Sequence, residues 1–149
     1  MAIDPNLKCT LDVVAEAAGE LREPWWIIGS AAAVLVGLLD EPVADVDLLT
    51  DGEGARQLLR HWDFQAATPS PSPLFASEVF GRISVAPLPI EIMGGLHVRG
   101  NRFVPSTRMP LRWKDRQLFV PDLPEQIAIL RLFGRAKDLQ RAERLSALL

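Results

Sequence analysis

From Leu11 to Leu21 the apolar positions Leu11, Val14, Ala15, Ala18 and Leu21 recur every three or four residues, the period of a helix that buries one face. Thr10 is placed to cap this helix, which the pattern ends near Arg22, ahead of Pro24. The next apolar run, Trp25-Trp26-Ile27-Ile28, is short, aromatic and β-branched, and so predicts a strand. It stops at Gly29-Ser30, where an apolar helix from Ala31 to about Leu39 begins. Asp45-Val46-Asp47-Leu48-Leu49 then alternates polar with apolar, as a half-buried strand does, and Asp51-Gly52 opens a helix that carries Leu58, Leu59 and Trp62.

The run Thr68-Pro69-Ser70-Pro71-Ser72-Pro73 excludes regular structure and predicts an extended surface loop. Three further strands are expected, over 79–85, 88–93 and 97–104, with Gly94-Gly95 breaking the last two apart and antiparallel pairing extending the sheet. Residues 105–121 carry no regular pattern. Asp122, with Pro124 in the first turn and Glu125 three positions on, caps a helix that ends at Gly134. A last helix places Leu139, Ala142 and Leu145 on one face. The fold class expected is α/β (α+β): a small mixed sheet flanked by helices, with helices at the C-terminus. One domain over residues 1–149 accommodates this order, its core about 10–104 and its C-terminal helical part about 122–149, and no internal repeat interrupts it.

Composition narrows the function. The chain has 149 residues, 48% of them hydrophobic, enough for a core of its own. No stretch approaches the roughly 20 consecutive apolar residues of a membrane span, and MAIDPNLKCT lacks the regions of a signal peptide, so a soluble cytoplasmic protein is expected. Cys9 is the single cysteine, which excludes an internal disulfide and a zinc-thiolate cluster; a partly buried, inert side chain is expected there. The net charge of −3 is unevenly spread. Residues 1–96 hold 14 acidic and 5 basic side chains, a net −9, whereas residues 97–149 hold 5 acidic and 11 basic ones, a net +6. Such a division fits one part that gathers carboxylates and another that faces an anion such as phosphate or nucleic acid, although ordinary solvated faces give the same totals.

Asp45 and Asp47 supply the chemistry. Two apart on a strand, they project from one face with Cα atoms about 6.6 Å apart, and a divalent cation is the usual means of offsetting their repulsion. The same Asp-x-Asp pattern also describes a solvent-facing strand. Gly29-Ser30 lies between strand and helix, where free backbone N–H groups favour a phosphate; helix capping by Ser30 is the simpler alternative.

Taken together, the stretch IIGSAAAVLVGLLDEPVADVDLL, then LPIEIM and LRLFGRAKDLQRAERL, resembles the minimal bacterial nucleotidyltransferases of the DNA polymerase β-like superfamily. Their hallmark is a strand ending in Gly-Gly or Gly-Ser, a helix, a strand with two carboxylates one residue apart, and a third carboxylate on a neighbouring strand. The resemblance spans roughly residues 25–145. It implies that Asp45 and Asp47 bridge two magnesium or manganese ions, and that Glu91 binds one of them and helps to deprotonate the attacking hydroxyl. It also implies that Gly29 and Ser30 hold the β and γ phosphates of a nucleoside triphosphate. The acceptor it implies is a hydroxyl on a small molecule, a protein or an RNA end. Relatives often carry a basic residue and then a serine or threonine before the first aspartate, where this chain has Asp40, Glu41 and Ala44. Acids at that approach would repel a triphosphate unless Arg131, Arg135 or Lys137 completes the pocket. Two other readings compete: a nucleotidyltransferase-like antitoxin that modifies or masks a partner protein, and a catalytically silent relative that binds nucleotide. His61 and His97 are expected to be structural, and the four tryptophans to be core anchors.

Overall fold

The computed structural model describes residues 3–149. Its first helix, α1, runs Pro5–Ala18, earlier than the apolar period alone indicates. Asp4 caps it, accepting from the backbone N–H of Asn6 at 2.9 Å and of Leu7 at 3.2 Å, with Pro5 in the first turn. Thr10 is therefore not the cap. It is buried within the helix, where its hydroxyl donates to the Asn6 carbonyl and accepts from the Leu88 N–H, tying α1 to the loop before the fourth strand. Cys9, on the outer side of α1, is exposed rather than partly buried.

Strand β1 (Trp26–Ile28) leads directly into the short helix α2 (Gly29–Leu35), and β2 (Val46–Thr50) into α3 (Gly52–Trp62). Asp51 caps α3 through the Gly54 N–H. Strands β3 (Phe75–Ile83) and β4 (Ile90–Val98) form a long hairpin, and β5 (Asn101–Arg102) folds back on the end of β4. The expected break at Gly94-Gly95 does not occur. At Gly94 a Cβ would lie 2.5 Å from that of Ala55, so the glycine lets α3 approach β4 closely instead of ending the strand.

The sheet is mixed, with order β1-β2-β4-β3: β1 is antiparallel to β2, β2 parallel to β4, and β4 antiparallel to β3. Residues 105–121, expected to be irregular, contain a second, two-stranded sheet of β6 (Met109–Trp113) and β7 (Arg116–Val120). Leu111, Leu118 and Val120 face inward, while Pro110, Arg112 and Gln117 face out. The turn is Lys114-Asp115, with Lys114 at φ 57°, rather than the Asn-Gly that announces a tight hairpin. Helices α4 (Leu123–Phe133) and α5 (Ala136–Ser146) close the chain; Asp122 caps α4 and Gly134 ends it at φ 74°. On α5, Ala142 and Leu145 are buried but Leu139 is exposed, contrary to the expected apolar stripe.

Alternation along the strands splits the core. Ile27, Val46, Leu48, Ile90 and Ile92 pack with α1, α3 and the β6–β7 hairpin. On the opposite face Trp26, Ile28 and Leu49 pack with Ile129 and Phe133 of α4, joined by Leu96 and Val98, which follow Gly95 at φ 67° and depart from the alternation of Ile90 and Ile92. Ala33 and Leu38 pack against Ile127, Leu130, Ala142 and Leu145, which joins α4 and α5 to α2. Among the described residues no helix is long and apolar enough to cross a membrane.

Candidate functional site

Asp47 occupies an odd position on a strand whose even positions, Val46 and Leu48, fill the α1 face, so its carboxylate emerges on the α4 face. In the ladders Asp47 stands between Ile28 of β1 and Glu91 of β4. Pairing in register gives neighbouring strands the same facing, and the carboxylates of Asp45, Asp47 and Glu91 converge. Each offers an oxygen within 4.8 Å of the other two. Gly29 closes one side of this group at φ 73°, where a Cβ would stand 2.7 Å from Asp47 Oδ2. Only glycine permits that approach.

The cluster's charge is incompletely offset. Burial, followed by repulsion from Asp45 and Glu91, raises the Asp47 carboxyl from 3.8 to about 7, while Lys137 and Arg141 pull in the opposite direction. Arg82, not singled out in the sequence, extends from β3 on the same face. It is the ladder partner of Glu91, and its guanidinium forms an ion pair with Glu91 and a second, at 3.6 Å, with Asp45. Its position follows from the antiparallel register of β3 and β4, which alternation alone does not specify.

The two acids on the approach are occupied. Glu41, with a side chain 7% exposed, accepts from Arg141 Nε at 2.9 Å and pairs with Arg144, which also reaches Asp40 at 2.8 Å. Arg141 and Arg144 are thus tied to these acids, and Glu41 does not present free charge to an incoming anion. Of the three bases expected to complete a phosphate pocket, Lys137 acts on Asp47 through its field. Arg135 donates from Nε and Nη2 to the buried Asp138, at 2.6 and 3.1 Å, and lies over the Phe75 ring. Arg131 is exposed on α4. Ser30 makes no side-chain cap; α2 begins at Gly29, so the first turn adjoins Asp47.

Three converging carboxylates, one held largely uncompensated beside a glycine, fit a hard divalent cation, for which carboxylate oxygens are the preferred donors. His97 is not part of this set; its Nδ1 lies 3.0 Å from the Gly95 carbonyl.

No family model and no curated protein matches the chain. Solved structures do. A Thermotoga maritima protein assigned as a nucleotidyltransferase superposes with a TM-score of 0.78 at 20% identity, covering 99% of this chain and 97% of that one. A lincosamide antibiotic adenylyltransferase in its lincomycin-bound form gives 0.61 at 13% identity, with both chains covered in full. An antigenic nucleotidyltransferase-like protein from Paracoccidioides brasiliensis gives 0.58 at 17%, covering 98% of this chain and 78% of that one.

Proposed function

We propose that this chain, which has the nucleotidyltransferase fold, transfers a nucleoside monophosphate from a nucleoside triphosphate to a hydroxyl acceptor, with Asp45, Asp47 and Glu91 as the metal-binding residues. The observation that carries the reading is the convergence of these three carboxylates across two neighbouring strands. Magnesium or manganese held there would neutralise the triphosphate and favour in-line displacement of pyrophosphate. Asp47 of β2 and Asp45, directly before that strand, would share the ions. Glu91, on the next strand, would take the acceptor's proton. Backbone N–H groups at Gly29 and Ser30 would hold the β and γ phosphates, with Lys137, Arg131 and Arg135 as the basic side chains on the approach. Arg82 must release Asp45 and Glu91 for this to happen.

That ion pair also favours a second reading, a silent nucleotide-binding module in which Arg82 is the permanent counter-charge of the cluster. Calorimetric titration with ATP, GTP, CTP and UTP separates the two. On the enzyme reading at least one nucleotide saturates the protein in magnesium, and its affinity falls at least about tenfold in EDTA or in Asp47→Asn. Equal affinity in all three conditions would favour the silent module.

A further inference from the structure

A large cavity lies away from the carboxylates. It measures about 720 Å³ and is walled by the end of α1, the loop before β1 and the β6–β7 hairpin. Five cationic side chains line it, Arg22, Arg108, Arg112, Lys114 and Arg116, against two carboxylates, Glu23 and Asp115. Four of the five belong to the basic C-terminal third of the chain, and the proposed transfer reaction uses none of them.

The placement of Arg108 and Arg112 has a structural cause. In the hairpin ladder Arg112 pairs with Gln117 and Pro110 with Phe119, so these side chains share the outward face, which Arg108 extends at the same period of two. Arg108 is fixed in place: its guanidinium lies 3.4 Å over the Phe119 ring and donates to the Trp25 carbonyl at 3.1 Å. Partial burial lowers its pKa, as expected for a cation held without a carboxylate. Lys114 is paired with Asp12. Arg22, Arg112 and Arg116, by contrast, form no ion pair among the described residues, although Glu23 and Asp115 share the cavity with them.

We infer that this cavity is a binding site for a small molecule carrying two or more linked phosphate groups, separate from the carboxylate site. Three unpaired guanidiniums around one concavity match the several oxygens of an oligophosphate, which each can engage in bidentate fashion. Single-stranded RNA fits less well, because it needs open aromatic faces for its bases. Here Arg108 covers the face of Phe119, and Trp25 is buried with its ring edge-on to Phe119. The cavity cannot be the far end of the catalytic cleft. Trp25 packs in the core on the α1 face, opposite the face that bears Asp47, and lies three residues, about 10 Å of strand, before Ile28, the ladder partner of Asp47.

The test is calorimetric titration of the full chain in EDTA with inorganic tripolyphosphate, which in the absence of metal is repelled by the three carboxylates. Saturable binding is expected, weakened at least about tenfold in Arg112→Ser/Arg116→Ser and unchanged in Asp47→Asn. Both arginines are exposed, so the parent melting temperature should be retained; Arg22→Ser, on the opposite wall, supplies an independent variant with the same expected loss. Absence of saturation at millimolar tripolyphosphate, or equal binding by the arginine variants, would overturn the site. So would a short oligouridylate that binds more tightly than tripolyphosphate and loses affinity with the same substitutions.

Discussion

In EDTA the protein should become less stable as the pH rises from about 4.5 to 7.5, the reverse of the usual behaviour of a paired carboxylate. Asp47 is responsible. Its carboxyl is raised from 3.8 to about 7 in the folded state, so in this window the folded protein holds a proton that the unfolded chain has released. The stabilisation this gives is complete below about 3.8 and is lost as the pH passes through 7. Taken alone the difference corresponds to at most about 4 kcal/mol. For a chain of this length it represents a fall on the order of 10 °C in melting temperature. Asp12 and Glu125 are shifted the other way, by hydrogen bonds from Lys114 and from Thr107 and Ser106, so their contribution is lost as the pH falls through the ordinary carboxylate range and leaves the upper window to Asp47. Asp47→Asn should flatten the curve between pH ~5 and ~8 and melt above the parent at the alkaline end. Magnesium at millimolar concentration should do the same for the parent, because a bound cation favours the ionised carboxylate. A parent curve already flat in EDTA would contradict this assignment of charge.

Replacing Glu41 by alanine should destabilise the protein by about 3 to 5 kcal/mol, as measured by denaturant unfolding. The loss comes less from the attraction removed than from the cation left behind. Arg141 is only 15% exposed and would remain buried without its carboxylate partner, while Arg144 would keep only Asp40. Glu41→Ala/Arg141→Ala should recover part of the loss, the sign of a coupled pair. Glu53→Ala is the contrast: its pairs with Arg56 and Arg60, both 3.6 Å and exposed, should be worth less than about 1 kcal/mol. A change of under about 1 kcal/mol in Glu41→Ala would remove this ion pair from the account of how α5 is fastened to the loop before β2. That fastening matters to the site, since α5 also carries Lys137.

Several features were legible because a local rule decides them. Asp45 and Asp47 share a face because strands alternate, and α4 begins at Asp122 and ends at Gly134 because both ends carry capping residues of the expected type. The β6–β7 hairpin was not legible. Its apolar positions are interrupted by Pro110 and three basic residues, and its turn uses Lys114-Asp115 in place of glycine. Gly94 misled for a related reason: a glycine that admits a packed helix looks, in one dimension, like a glycine that ends a strand. The ion pairs of Arg82 and Glu41 are not legible in the sequence, because they join partners 9 and 100 residues apart. Strand register and helix docking set those pairs, and neither leaves a periodic trace. The basic excess after residue 96 was visible. Its division between Arg141 and Arg144, committed to Glu41, and the arginines of the hairpin cavity required the fold.

Diffraction from crystals soaked in manganese with a non-hydrolysable nucleoside triphosphate analogue tests the central claim most directly, because the anomalous signal of manganese places the metal without reference to activity. The account predicts manganese bound to carboxylate oxygens of Asp45 and Asp47 at about 2.2 Å, a ligand from Glu91, Arg82 withdrawn from the cluster, and the triphosphate beside Gly29 and Ser30. Manganese absent from these three residues while Arg82 still holds Asp45 and Glu91, with the triphosphate bound elsewhere or not at all, would contradict it.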